Sequence, residues 1–329
     1  LSLELMKSNN EPLTGHASLS KDKKELLVGK YIARIGMHGS VKAEGRDIIP
    51  SPYTTGLLDK FLDGSYEPAF ETARGCPFLC TFCDQGLDAT KITAFSVKRL
   101  SEEIKYVANK IANIENGTKS ICIFDSNWGL FDKDVALADE MLSTMEKYDW
   151  PKHIDCNTPK SNWNNLLKIN DTLKNRVKLD LSMQSTNLET LKTIERKNWT
   201  TEQYIEFTKE CHKRGKPIGS QMILPLPKET EESFFSGTKF LMDNNVRAST
   251  FTLMMLCGAD LGRDKAIRDH GMKSKYRLLP KQFGNYQGTK VFEVERICVG
   301  TNTMSFESYM KCRNYNFVLQ LLNHVLFRP

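Results

Sequence analysis

The sequence predicts an α/β protein built from six βα units. Short apolar runs alternate with amphipathic stretches from residue 69 to residue 256, and the amphipathic stretches repeat their apolar residues at helical spacing. Six such pairs in a row call for parallel strands covered by helices. By themselves they leave two architectures open, a doubly wound sheet or a barrel that six units only partly close.

The elements follow in order. AFETAR (69–74) reads as the first strand, and VKRLSEEIKYVANKIA (97–112) as its helix, with Leu100, Ile104, Val107 and Ile111 on one face. SICIFDSN (120–127) is the second strand and 134–148 its helix. A weaker strand at 152–159 precedes a helix at 162–173. VKLDLSMQS (177–185) alternates strictly and is followed by two helical segments, 188–196 and 201–215, the second stopped by Gly215. Residues 216–227 make the fifth strand, 229–245 its helix, and 248–256 the sixth strand. Residues 1–50 are polar and poorly periodic. Residues 257–329 lose the alternation and read as an extension packed on the core.

The totals narrow the function classes. The 329 residues are 40% hydrophobic and 26% charged, a globular composition. No run of about 18 apolar residues occurs, and the first thirty residues lack the apolar stretch of a signal peptide. A net charge of +6 is too diffuse to argue for nucleic acid. With nine cysteines and no export signal, a reducing cytoplasmic setting without disulfides is expected. The chain begins with Leu, which points to a fragment of a longer product.

Three of those cysteines are clustered, in ETARGCPFLCTFCDQG, as Cys76, Cys80 and Cys83. The other six read as small buried hydrophobes. A closed zinc site wants a second thiol or histidine pair, and none stands at that spacing. An iron–sulfur cluster normally takes four thiolates. Three would leave one iron with an open position for an outside ligand.

This C-x3-C-x2-C pattern, with Phe82 just before the last cysteine, resembles the motif of the radical S-adenosylmethionine (SAM) superfamily, at the place where that family carries it. The resemblance implies a partial (βα)6 TIM-like barrel with an N-terminal connector and a C-terminal extension. It implies a 4Fe–4S cluster on Cys76, Cys80 and Cys83, with SAM chelating the open iron. Reductive cleavage of SAM then yields methionine and a 5′-deoxyadenosyl radical, which takes a hydrogen from the substrate.

Position by position, the resemblance implies an adenine contact from backbone beside Phe82. The end of strand two, often Gly-Gly-Glu in the family, reads Asp125-Ser-Asn127 here, which makes Asp125 and Asn127 the acceptors for the SAM amino group. Ser182 and Gln184, on one face by the period of two, resemble the ribose contacts. Arg196 resembles the arginine aimed at the SAM carboxylate. At strand five, Pro225 and Lys228 stand where many members have glycine, while Glu229 still leads the next helix.

Residues 49–64, 125–134, 182–198 and 291–313 resemble the branch whose members carry a cobalamin-binding domain. A domain of that kind needs on the order of 100 residues, more than precede the connector. The expected organisation is a connector or domain remnant at 1–65, the radical SAM barrel at 66–256 and a pocket-shaping extension at 257–329. Arg263, Arg268, Tyr276, Arg277 and Tyr286 of the extension are the side chains available to a substrate. The resemblance implies methyl transfer or radical modification of a small metabolite, with an electron donor such as flavodoxin or ferredoxin. Cobalamin is implied as a further cofactor of the full-length protein, and no membrane or nucleic-acid partner is expected. Two alternatives stand beside it: an RNA or protein methylthiotransferase, and a non-catalytic iron–sulfur or zinc module.

Overall fold

The computed structural model describes residues 17–19, 26–28, 47, 49–85 and 92–326. Most of the expected connector at 1–65 therefore lies outside the described residues. Strands β1 (Ala17–Leu19) and β2 (Leu26–Val28) form a small antiparallel pair. Tyr53 anchors the chain that leads into the barrel: its hydroxyl donates to the Ala69 carbonyl at 2.7 Å and its ring lies 5.0 Å from that of Phe70.

The expected first strand divides in two. β3 (Ala69–Phe70) joins the main sheet, whereas β4 (Ala73–Arg74) turns away to pair antiparallel with β5 (Thr93–Ala94). The break falls at Thr72, whose backbone amide and hydroxyl both donate to the Asp125 carboxylate instead of continuing the ladder. Next come α1 (Val97–Ile111), β6 (Ser120–Ile123), α2 (Asp132–Tyr148), β7 (His153–Cys156) and α3 (Trp163–Thr172). They are followed by β8 (Asp180–Gln184), α4 (Leu188–Thr193), α5 (Thr201–Lys213), β9 (Gly219–Leu224), α6 (Glu231–Asp243) and β10 (Arg247–Thr252).

Strands β3, β6 and β7 pair in parallel in that order, and so do β8, β9 and β10. A parallel bridge from Ile154 to Val177 links the two halves, with the Ile154 amide donating to Arg176 and the Lys178 amide to Ile154, each at 2.9 Å. Spatial order thus equals chain order. A doubly wound sheet would reverse at a switch point; this one curls as a barrel does.

The helices form for local reasons that the sequence carries. The Ser96 hydroxyl caps α1 by accepting the Arg99 amide at 3.1 Å, and Leu100, Ile104, Val107 and Ile111 are buried. Thr200 and Gln203 form a capping box at the start of α5. Gly215 follows that helix at φ +66, as a left-handed stop requires.

Burial alternates along the strands. Ile121, Ile154, Leu181, Met222 and Ala248 point beneath the helices and are buried. Their neighbours Ser120, Asp155, Ser182, Gln221 and Ser249 face the other way and stay partly or fully open. The apolar core therefore lies between strands and helices, and the inner face of the barrel is largely polar, with Ile223 and Phe251 among its apolar members.

Beyond β10 the chain is more ordered than the sequence suggests. A short α7 (Asp264–Asp269) precedes a long ribbon of β11 (Lys273–Tyr286) and β12 (Thr289–Gly300), and then α8 (Phe306–Leu326). The end of β12 extends the sheet, with the Cys298 amide donating to Leu253 at 2.8 Å. α8 covers the β10 edge, where Gln320 Nε2 donates to the Ala248 carbonyl at 3.1 Å. Of the six scattered cysteines, Cys156, Cys211, Cys298 and Cys312 are buried as expected, while Cys122 is half-buried and Cys257 is exposed.

Candidate functional site

The cysteine loop sits at the mouth formed by the C-terminal ends of the barrel strands. Gly75, immediately before it, has φ +98, a conformation that costs a residue with a Cβ about 1–2 kcal/mol. The loop is tied on both sides: the Thr81 amide donates to the Ile194 carbonyl at 3.1 Å, and the Thr81 carbonyl accepts from the Leu261 amide at 2.9 Å. The Cys83 amide donates to the Cys80 carbonyl at 3.0 Å, closing a turn. Cys76 and Cys80 are buried and Cys83 half-buried.

Every one of the three sulfurs has a donor against it. Asn127 Nδ2 lies 3.2 Å from Cys76 Sγ. Lys160 Nζ and Arg196 Nη1 lie 3.6 and 3.8 Å from Cys80 Sγ. The Gln85 amide lies 3.4 Å from Cys83 Sγ. Burial pushes the Cys83 thiol up, opposed first by that amide and then by the Lys160 ammonium. Donors and cations around thiols favour thiolates, the form that binds metal.

Among the described residues no three His, Cys, Asp or Glu side chains converge as ligands of a single metal ion. A cluster asks for something different, because each thiolate binds its own iron and the sulfurs stand further apart. The donor set fits such a group: soft thiols, an adjoining surplus of N–H donors, and two buried oxygens without partners, Asn127 Oδ1 and Thr81 Oγ1.

The remaining sequence-predicted residues separate into two groups. Asn127, Arg196 and Phe82 gather at the loop. Arg196 is 7% exposed although it follows a surface helix. Its Nε donates to Asn198 Oδ1 at 2.8 Å and its Nη2 to the Ser182 carbonyl, which folds the 195–198 segment back onto β8. Phe82 packs against the apolar group that includes Leu191, Ile194, Leu253 and Leu261.

Asp125 is occupied elsewhere. It is buried, and its two oxygens accept the amide of Thr72, at 2.6 Å, and its hydroxyl. Burial pushes its carboxyl up to about 6, against the pull of Thr72 and the Lys133 ammonium. In this arrangement it clamps the chain that leads into the cysteine loop.

Ser182 lies on the open inner face, but the period of two ends at Gln184. That residue has φ +67 beside a register shift between Leu181 and Gln184. The two side chains therefore do not follow one face by simple alternation.

At the end of β9, Lys228 takes φ +67, so the backbone keeps a glycine-like turn where the glycine is missing. Glu229 is buried, accepts the hydroxyls of Ser185 and Ser233, and has its carboxyl pushed up by burial.

Lys160 is the residue that sequence reading missed. Its only advance signal is its place just beyond a barrel strand, where functional loops gather. Of the candidate substrate contacts, Tyr276, Arg277 and Tyr286 lie exposed on the β11 ribbon and Arg263 pairs with Asp260 at 3.2 Å. A cavity of about 430 Å³ flanks the loop, lined by Pro77, Phe78, Leu79, Lys192 and Arg196 among others. A larger one, about 890 Å³, opens between α4, α5 and α6 and meets the site at Leu191, Lys192 and Arg196.

Comparison with known proteins bears on the family and the fold. The family model described as "Radical SAM superfamily" matches residues 70–236, just over half of the chain. The chain is 28% identical over 290 residues to the 2-(S-pantetheinyl)-carbapenam-3-carboxylate methyltransferase of Streptantibioticus cattleyicolor, covering 84% of this chain and 41% of that protein. It is also 28% identical over 291 residues to the cobalamin-dependent radical SAM methyltransferase TokK of Streptomyces tokunonensis, with the same coverage of 84% and 41%. The chain thus spans about two fifths of the length of the curated relatives it matches. Among solved structures, the radical S-adenosylmethionine methyltransferase TsrM of Kitasatospora setae, with cobalamin and a 4Fe–4S cluster bound, matches with a TM-score of 0.51 at 16% identity. That match covers 65% of this chain and 40% of TsrM and supports the barrel fold.

Proposed function

Because this chain belongs to the radical SAM superfamily, we propose that it is an enzyme holding a 4Fe–4S cluster on Cys76, Cys80 and Cys83 and using SAM to modify a small molecule. Methyl transfer is the reaction that the names of its relatives favour, and cobalamin as a cofactor of the whole protein comes with the same names. The observation that carries the reading is the set of three thiols at the barrel mouth, each facing an N–H donor, beside the unpartnered Asn127 Oδ1.

When bound, the cluster supplies one electron to SAM, and the resulting bond cleavage opens radical chemistry. The chain's own residues do the rest. Asn127 holds Cys76 through Nδ2 and leaves Oδ1 to accept the amino group of SAM. Arg196, fixed by Ser182 and Asn198, presents a guanidinium to the carboxylate. Backbone beside Phe82 serves the adenine, and Ser182, on the open inner face of β8, serves the ribose. Burial of Cys76 and Cys80 limits the water that reaches their thiolates. No helix among the described residues is long and apolar enough to cross a membrane. A cytoplasmic home suits nine free thiols and a protein electron donor.

The test is anaerobic reconstitution with iron and sulfide, followed by spectroscopy on adding SAM and assay of 5′-deoxyadenosine under reduction. Cluster formation, a SAM-induced spectral change and the nucleoside product are expected. A cluster that SAM does not perturb refutes the enzyme reading. Full iron content in Cys80→Ala refutes the ligand assignment.

A further inference from the structure

Lys160 follows β7 and lies outside every motif that the sequence offered. Its ammonium stands 3.6 Å from Cys80 Sγ and 4.6 Å from the centre of the Phe78 ring. Among the described residues it makes no ion pair with a carboxylate. The charge is therefore held against a thiol, with an aromatic face as its other support.

The three sulfurs are not treated alike. In direct contact, Cys76 has a neutral amide and Cys83 a backbone amide, while Cys80 alone has two cations. Of those two, Arg196 is held by the Ser182 carbonyl and Asn198, bonds that also fold its own segment. Lys160 has no such structural duty.

We infer that Lys160 is a positioning residue that sets the reduction potential of the cluster site through its charge on Cys80. This rests on the function proposed above. One electron from an external reductant adds one negative charge to the thiolate-bound group, with no proton or bond change. A fixed positive charge a few ångström away in a half-buried site attracts that added charge more strongly than the same charge would across bulk water. Phe78, two residues before Cys80, keeps the ammonium in place.

The measurement is a mediated redox titration of the reconstituted protein without SAM, read by absorbance and by electron paramagnetic resonance. Wild type, Lys160→Met and Lys160→Arg are compared, with iron and sulfide content determined for each. At the wild-type midpoint, Lys160→Met should lower the ratio of reduced to oxidised cluster about tenfold, a midpoint about 59 mV more negative. Lys160→Arg, which keeps the charge, should stay near wild type. Phe78→Leu should shift the midpoint the same way by less, and it carries the test if the Met variant fails to hold iron.

Equal midpoints in fully loaded wild type and Lys160→Met overturn the inference, or in Phe78→Leu if that variant is the one carrying the test. So does an unchanged midpoint with weakened SAM binding, which would assign the lysine to the SAM carboxylate. A wild-type chain that builds no SAM-responsive cluster instead refutes the function reading, and takes this inference with it.

Discussion

Replacing Asp125 by Asn should stabilise the chain at neutral pH and leave it little changed in acid. The carboxyl is 3% exposed, and burial raises it from 3.8 to about 6. A carboxyl raised in the folded state binds its proton more tightly there than in the unfolded chain. Its favourable contribution is complete below the unfolded value and is lost as pH climbs through the folded one. The shift of about two units corresponds to about 3 kcal/mol lost between about pH 4 and about pH 7. Asn keeps an oxygen for the Thr72 amide and offers an N–H to its hydroxyl, without a charge to desolvate.

The assay is urea unfolding of the cluster-free chain, followed by the fluorescence of the buried Trp128 and Trp150. The stability difference, Asn variant minus wild type, should rise by about 2–3 kcal/mol across that pH range. A flat difference would show that Asp125 is not desolvated as its clamp on Thr72 requires.

Further outcomes rest on the same packing. Gly262→Ala puts a Cβ 1.9 Å from the Leu256 carbonyl oxygen, a backbone atom that cannot move aside alone. It should cost about 1–3 kcal/mol in thermal unfolding, and it should lower iron loading through the neighbouring Leu261–Thr81 hydrogen bond. Phe207→Ala, which removes the ring between Trp163 and Trp199, should cost about 3–5 kcal/mol in the same measurement. Asn127→Ala should weaken SAM binding about tenfold by calorimetry on the reconstituted protein, the value of roughly one hydrogen bond to a charged group.

The barrel was legible because its strands are half-buried and its helices amphipathic, so both periods are written in residues such as Ile121, Leu181 and Leu100. Where that contrast fails, so does the reading. β11 is exposed along most of its length, and residues such as Tyr276, Leu278 and Phe283 show no inside–outside alternation to find. β3 looked longer than it is because Thr72 prefers Asp125, a partner 53 residues away. The left-handed turn at Gln184 has no glycine to mark it. The three cysteines were visible as a motif, and Arg196 through resemblance. Lys160 was not, since its tie to Cys80 spans 80 residues and exists only in the folded chain.

The largely polar inner face of the barrel has a consequence for how such a protein changes over time. Positions such as Ser182, Gln221 and Ser249 lie on that inner face and bury little apolar area, so exchanging them forfeits little of the energy that holds the fold. The layer that carries stability, Ile121, Leu181 and Met222 against the helices, lies one residue away on the opposite face. Selection can therefore rewrite what the mouth accepts while leaving the frame intact. A library confined to the inner positions should yield folded variants far more often than one confined to their neighbours.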